Sequence, residues 1–168
     1  LLGTEGGTFN PLAIPDFVAD SHYEDTGACF FDFDKDGDLD LYVVSGSYEF
    51  SIQSPLLIDR LYLNDGHGKF VKSKGIVSEV PSAGSVVVSG DYDGDGDLDL
   101  FVGGRVLDGS YPFAPVSFLL KNEGGKLNIV TSEAAPELRT VGMVTDAAWV
   151  DMDNDKDLDL VVTGEWMG

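Results

Sequence analysis

Asp91-Tyr92-Asp93-Gly94-Asp95-Gly96-Asp97-Leu98-Asp99 carries five carboxylates at alternate positions. The spacing returns in Asp32-Phe33-Asp34-Lys35-Asp36-Gly37-Asp38-Leu39-Asp40 and in Asp151-Met152-Asp153-Asn154-Asp155-Lys156-Asp157-Leu158-Asp159. Fifteen of the 30 acidic residues fall in these three stretches. Five like charges within nine residues repel one another, and the few lysines near them in sequence do not neutralise them. A bound divalent cation does.

The residue types favour one cation. Ca²⁺ takes about six to eight oxygen ligands at ~2.3–2.6 Å, and a tightly curled loop aims alternate carboxylates at one point. In the first loop Asp32, Asp34 and Asp36 take positions one, three and five, Gly37 permits the turn, Asp38 offers its carbonyl, and Asp40 closes the shell. Leu39 then faces the core. The second loop repeats the scheme with Asp91, Asp93, Asp95, Asp97 and Asp99 and has the most regular sequence. The third uses Asp151, Asp153, Asp155, Asp157 and Asp159, but Lys156 stands where the others have glycine. A left-handed lysine costs about 1 kcal/mol, so this site is expected to be the weakest of three. No histidine or cysteine stands at metal spacing, which disfavours zinc and copper, and Mg²⁺ prefers fewer protein ligands. An EF-hand would need a glutamate at position twelve and flanking helices, where this chain has Val43, Val102 and Val162 in strand-like runs.

Outward from the loops, the clusters begin at Asp32, Asp91 and Asp151, steps of 59 and 60 residues. A second signal runs in phase: Asn64-Asp65-Gly66-His67-Gly68-Lys69-Phe70 recurs as Asn122-Glu123-Gly124-Gly125-Lys126-Leu127 and as Thr4-Glu5-Gly6-Gly7-Thr8-Phe9. These are hairpin turns with glycine at positive-φ positions. Each unit therefore reads strand, acidic loop, strand, variable connection, strand, tight turn, strand. The strands of the first full unit are expected at 28–31, 39–44, 60–63 and 69–73, and those of the second at 85–88, 98–103, 117–121 and 126–130. Residues 132–138 are the best helix candidate, interrupted by Pro136. Four short antiparallel strands at a fixed period predict an all-β chain of β-propeller blades. A β-sandwich is the alternative, but nothing in a sandwich requires a fixed period.

On these residues the chain resembles the calcium loops of FG-GAP/VCBS repeats, which build the integrin-α-type propeller. The resemblance covers nearly the whole chain. It implies a structural calcium between the first two strands of each blade, ligands bound elsewhere, and an extracellular or cell-surface setting. The Phe-Gly and Gly-Ala-Pro elements that name the repeat are partly present, in residues 101–104 and in Ala114-Pro115, which places the match nearer bacterial VCBS-type proteins than integrins.

Composition limits the partners. A net charge of -20 with 10 basic residues repels nucleic acid and anionic lipid headgroups, and no apolar run nears the ~18 residues of a membrane span. Cys29 is the single cysteine, so no intrachain disulfide forms, and it is expected to be a small core residue. Millimolar extracellular calcium fills sites with Kd ~10⁻⁴–10⁻³ M, which the cytosol does not, so secretion is expected.

The repeat divides residues 1–168 into the end of a blade at 1–9, blades at 27–73 and 84–131, and the first half of another at 144–168. The end fragments are complementary, so the chain is either part of a longer propeller or closes by pairing half blades between copies into a ring or polymer. His22 and His67 read as solvated loop residues, and no catalytic constellation stands out. The connections 45–58 and 105–116 bring Tyr48, Phe50, Tyr111, Phe113 and Arg105, a mix common at recognition surfaces. Binding of a protein or carbohydrate, adhesion or scaffolding is the first functional expectation. A structural subunit of an extracellular polymer and a polysaccharide-acting propeller enzyme are the alternatives.

Overall fold

The acidic loops set the strand boundaries. The structure is a computed structural model and describes residues 1–77, 79–113 and 115–167. Just before and after the first loop run β3 (Asp25–Phe31) and β4 (Asp40–Ser45), followed by β5 (Arg60–Asn64) and β6 (Phe70–Lys72). They form an antiparallel sheet in the order β3-β4-β5-β6. The second blade repeats this with β7 (Gly84–Gly90), β8 (Asp99–Gly104), β9 (Phe118–Asn122) and β10 (Leu127–Ile129). β11 (Met143–Val150) and β12 (Asp159–Glu165) pair around the third loop, and β1 (Leu2–Gly3) pairs with β2 (Phe9–Asn10) in an exposed hairpin. The predicted strands thus stand within a few residues of their places, and the chain is all-β, built of propeller blades.

Strands β4 and β8 are buried along their whole length, because each lies inside its sheet and that sheet is covered on both faces. This explains unbroken apolar runs such as Leu41-Tyr42-Val43-Val44 in place of alternation. Tyr42, Val44, Leu61 and Phe31 of the first blade pack against Leu100, Val102 and Leu120 of the second. Phe101, on the other face of β8, packs with Val144 and Ala147 of the third. Successive sheets therefore stack face to face. Leu41, Val43 and Tyr62, on the first blade's far face, are covered in part by Phe17 from α1 (Pro15–Ala19), a five-residue helix without a detectable period in the sequence. The helix candidate at 132–138 is a turn of helix, α2 (Thr131–Ala134), and a 3₁₀ turn over Pro136–Thr140, broken at Pro136 as expected.

The three first strands crowd together where the blades meet. Each carries a register shift at the same place: between Asp25 and Gly27, Gly84 and Val86, and Val144 and Asp146. The extra residues are Thr26, Ser85 and Thr145. A bulge turns its extra residue out of the ladder, and here the freed hydroxyl reaches the next blade, Thr26 Oγ1 to Gly84 O at 3.0 Å and Ser85 Oγ to Val144 O at 2.7 Å. A Cβ on Gly27 would lie 2.7 Å from the Ser85 carbonyl oxygen, so glycine is needed for this approach.

Two expectations change. Leu39 is 54% exposed, because its side of the first blade faces away from the second, whereas Leu98 at the matching position packs into the core between the two blades. Cys29 is half-buried, packing at the margin of that core with Sγ 3.5 Å from Ser89 Oγ. Ala114 lies outside the described residues. Among the described residues no helix is long and apolar enough to cross a membrane.

Candidate metal loops

Each acidic loop is curled by two left-handed residues, at positions four and six. Lys35 and Gly37 have φ of 62° and 91°, Gly94 and Gly96 of 73° and 87°, and Asn154 and Lys156 of 65° and 86°. Lys156 therefore adopts the conformation that glycine supplies in the other loops, as the sequence leads one to expect. The curl is stitched by the loop's own amides. In loop two the Gly96 N–H donates to Asp91 Oδ2 at 3.0 Å, Asp95 N–H to Asp93 Oδ1 at 3.3 Å, and Asp97 N–H to Asp95 Oδ1 at 2.9 Å. Loops one and three reproduce the pattern, with Gly37 N–H to Asp32 Oδ2 at 3.2 Å and Lys156 N–H to Asp151 Oδ2 at 3.1 Å.

These bonds occupy one oxygen of the first aspartate and leave the other. Asp32 Oδ1, Asp91 Oδ1 and Asp151 Oδ1 are all buried without a hydrogen-bond partner among the described residues. A buried, unpaired carboxylate oxygen is costly, and the same atom is orphaned in all three repeats. Around it the carboxylates converge: ligand atoms of Asp32, Asp34 and Asp36, of Asp91, Asp93 and Asp99, and of Asp151, Asp153 and Asp159 lie within 4.8 Å of one another. This all-oxygen donor set fits a hard divalent cation. The carboxylates of Asp38, Asp97 and Asp157 stand outside these groups, as do those of Asp40 in the first loop, Asp95 in the second and Asp155 in the third.

The ninth-position aspartate ties the loop to the sheet. Asp40 is buried and accepts N–H groups from Phe33 at 3.0 Å and Asn64 at 2.8 Å. Asp99 is fully buried and accepts from Tyr92 at 3.3 Å and Asn122 at 2.8 Å. Burial pushes the Asp99 carboxyl up to about 6 despite these donors, and shifts Asp40 in the same direction. Asp159 accepts from Met152 N–H at 2.9 Å but is exposed, since no third strand lies beside β12 among the described residues.

Positive charge reaches the second loop from distant parts of the chain. Lys121 on β9 forms ion pairs with Asp93 and, at 3.2 Å, with Asp95, and Lys35 of the first loop pairs with Asp97. Lys121 is distant in sequence, so charge counting along the chain misses it. The carboxylates beside Lys121 raise its pKa. Asn122 also escaped the sequence reading as a site residue: its side chain donates to the Phe33 carbonyl of loop one at 2.9 Å.

The acidic loops lie at one end of the strands and the variable connections at the other. There Tyr48, Tyr111 and Phe113 are 67–73% exposed, and Tyr48 and Tyr111 border an open depression of about 430 Å³ together with Val106, Leu107 and Asp108. Arg105 pairs with Glu165 at 3.3 Å, and Phe50 is half-buried. His22 and His67 are exposed; His22 lies 4.8 Å from the Tyr23 ring, and His67 Nδ1 is 2.8 Å from its neighbour Asp65 O.

Stacked four-stranded sheets with an acidic loop after each first strand define an all-β protein built of propeller blades. Residues 32–102, which hold the first two loops, match the family model for the FG-GAP-like repeat. Over 166 residues the chain is 30% identical to cartilage acidic protein 1 of Mus musculus and of Homo sapiens, covering 96% of this chain and 24% and 23% of those proteins. The chain spans about a quarter of the length of these curated relatives.

Proposed function

We propose that the chain is a calcium-stabilised propeller module that works outside the cell in binding, adhesion or scaffolding. One observation carries the calcium reading: the first aspartate of every loop keeps a buried oxygen for which the described residues supply no donor. Asp32, Asp34, Asp36, Asp40 and the Asp38 carbonyl would hold the ion in loop one, with the matching sets Asp91, Asp93, Asp95, Asp97, Asp99 and Asp151, Asp153, Asp155, Asp157, Asp159 in loops two and three. Calcium supplies charge neutralisation and fixes each loop between its strands. Extracellular calcium would fill such sites. The test is thermal unfolding with millimolar calcium and with a chelator: a rise in melting temperature with calcium is expected, and identical curves refute the reading.

Ligand recognition belongs on this reading to the opposite rim, where the aromatic side chains of Tyr48, Tyr111 and Phe113 are exposed and a protein or carbohydrate would find apolar surface. Self-association through complementary half blades is the second reading: among the described residues β12 pairs only with β11, whereas Asp40 and Asp99 accept amides from the third strands of their own blades. Sedimentation of the purified chain separates the two, since pairing of half blades requires a concentration-dependent dimer or larger species. The bacterial VCBS-type assignment rests on the partial Phe-Gly and Gly-Ala-Pro elements, and the two relatives compared above are mammalian.

A further inference from the structure

The three loops look alike in sequence, but their surroundings differ in charge. Lys121 extends from β9 across the second loop and engages Asp93 and Asp95. The registers β4–β5 and β8–β9 align Tyr62 with Leu120, so the first-blade counterpart of Lys121 is Leu63, an apolar residue packed against the core. Lys35 adds a second ammonium, on Asp97. Three of the five carboxylates of loop two are thus paired with lysines from elsewhere in the fold. Among the described residues, none of the loop-one carboxylates is in an ion pair.

We infer that Lys121 sets the calcium affinity of the second loop by competing for Asp93 and Asp95, making the loop of most regular sequence a weaker binder than the first. This rests on the calcium reading above. A cation entering loop two draws on carboxylates that the ammonium already neutralises, and a single positive charge within a few ångströms opposes a divalent ion even in a water-like dielectric. The same contact lowers the self-repulsion of loop two when calcium is absent, so the second blade depends less on the metal than the first. The rank order follows from a side chain outside the motif.

The amides of Gly37 and Gly96 report the two loops separately, because each donates to the first aspartate of its own loop. Calcium titrations followed on these two glycine resonances in the full chain compare wild type with Lys121→Met and Lys121→Gln. Lys74→Met serves as the control that removes an equal charge outside the loops. In wild type Gly96 is expected to saturate at higher calcium than Gly37. In both Lys121 variants the Gly96 midpoint falls about tenfold, equivalent to about 1.4 kcal/mol, with Gly37 unchanged and Lys74→Met like wild type. A Gly96 midpoint that does not move, or moves equally with Gly37 or in the control, overturns the inference alone. No calcium response at either glycine in any protein overturns it together with the calcium reading. Retained dispersion of the remaining amides shows that each variant is folded.

Discussion

Asn122 donates its side-chain amide to the Phe33 carbonyl at 2.9 Å, so a residue at the end of a strand in the second blade holds the backbone of the first blade's acidic loop. Its backbone N–H meanwhile donates to Asp99 of loop two at 2.8 Å, and the residue is fully buried. Asn122→Ala leaves the Phe33 carbonyl without this donor, and Gly125 N–H loses its acceptor. A loss of about 1–3 kcal/mol is expected. Asn64→Ala should cost less, because the Asn64 amide donates to Leu39 O of its own blade, at 3.1 Å in an exposed setting, and not across to another blade's loop among the described residues. Urea denaturation of the two variants checks the order.

Asp91→Asn is expected to change sign with calcium. In chelator the variant removes one of five repelling charges and is as stable as wild type or more so. With calcium at a hundredfold excess over Kd, wild type gains about 2.7 kcal/mol from an occupied site, which the variant loses. Melting curves in both conditions should cross. Destabilisation by the same amount in both would show that the carboxylate serves the fold and not a cation.

Asp59 carries the pH dependence least entangled with the loops. Burial pushes its carboxyl up to about 7, although Tyr42 Oη–H and Ser45 N–H each donate to it at 2.9 Å and Arg60 lies nearby. An unfolded aspartate titrates near ~3.9. The native state therefore holds its proton longer: the contribution is complete below about pH 4, is lost as pH rises to about 7, and is constant above. Asp59→Asn keeps an acceptor for Ser45 and removes this step. Melting temperatures in chelator from pH 4 to 8 should fall more steeply in wild type than in the variant, and parallel profiles would contradict the assignment.

Ser85→Ala removes the hydroxyl donated to Val144 O of the next blade, at an expected cost of about 1 kcal/mol. Thr145→Ala, at the same bulge position, removes a contact to Thr163 O in its own exposed half blade and should be nearly neutral in this chain. Equal losses would mean that the hydroxyl serves the bulge and not the contact between blades. Chemical denaturation distinguishes these cases.

Lys156→Gly should stabilise the chain by about 0.5–1 kcal/mol, the relief of a left-handed lysine less the added freedom of glycine in the unfolded state. Lys156→Ala keeps a Cβ and should bring no such gain. A destabilised Lys156→Gly would indicate that the lysine stem contributes packing. Equilibrium unfolding measures both.

The repeated Asp-x-Asp spacing, the period near 60 and the apolar runs after each loop made the blades legible, because alternation and turn chemistry are local properties of the chain. The curl at position six was legible for the same reason, from Gly37 and Gly96 and from the lysine that replaces them. The bulges at Thr26, Ser85 and Thr145 were not. Their position depends on how closely first strands approach one another, which no single strand encodes. Helix α1 escaped because five residues carry no period, and the exposure of Leu39 because two identical Asp-Leu-Asp segments differ only in what lies across from them.

The sequence by itself determined the three acidic loops, the strands they join and the oxygen-only donor set. Spacing along a backbone dictates which carboxylates can meet. Only the tertiary structure decided that the first two loops, so alike in sequence, sit in different charge surroundings. Lys121 and Asn122 reach the loops across strands and blades, and the strength of a charged site depends on every charge within a few ångströms, wherever in the chain it originates. The most regular loop, read along the chain as the cleanest, already holds the ammonium of Lys121 among its carboxylates.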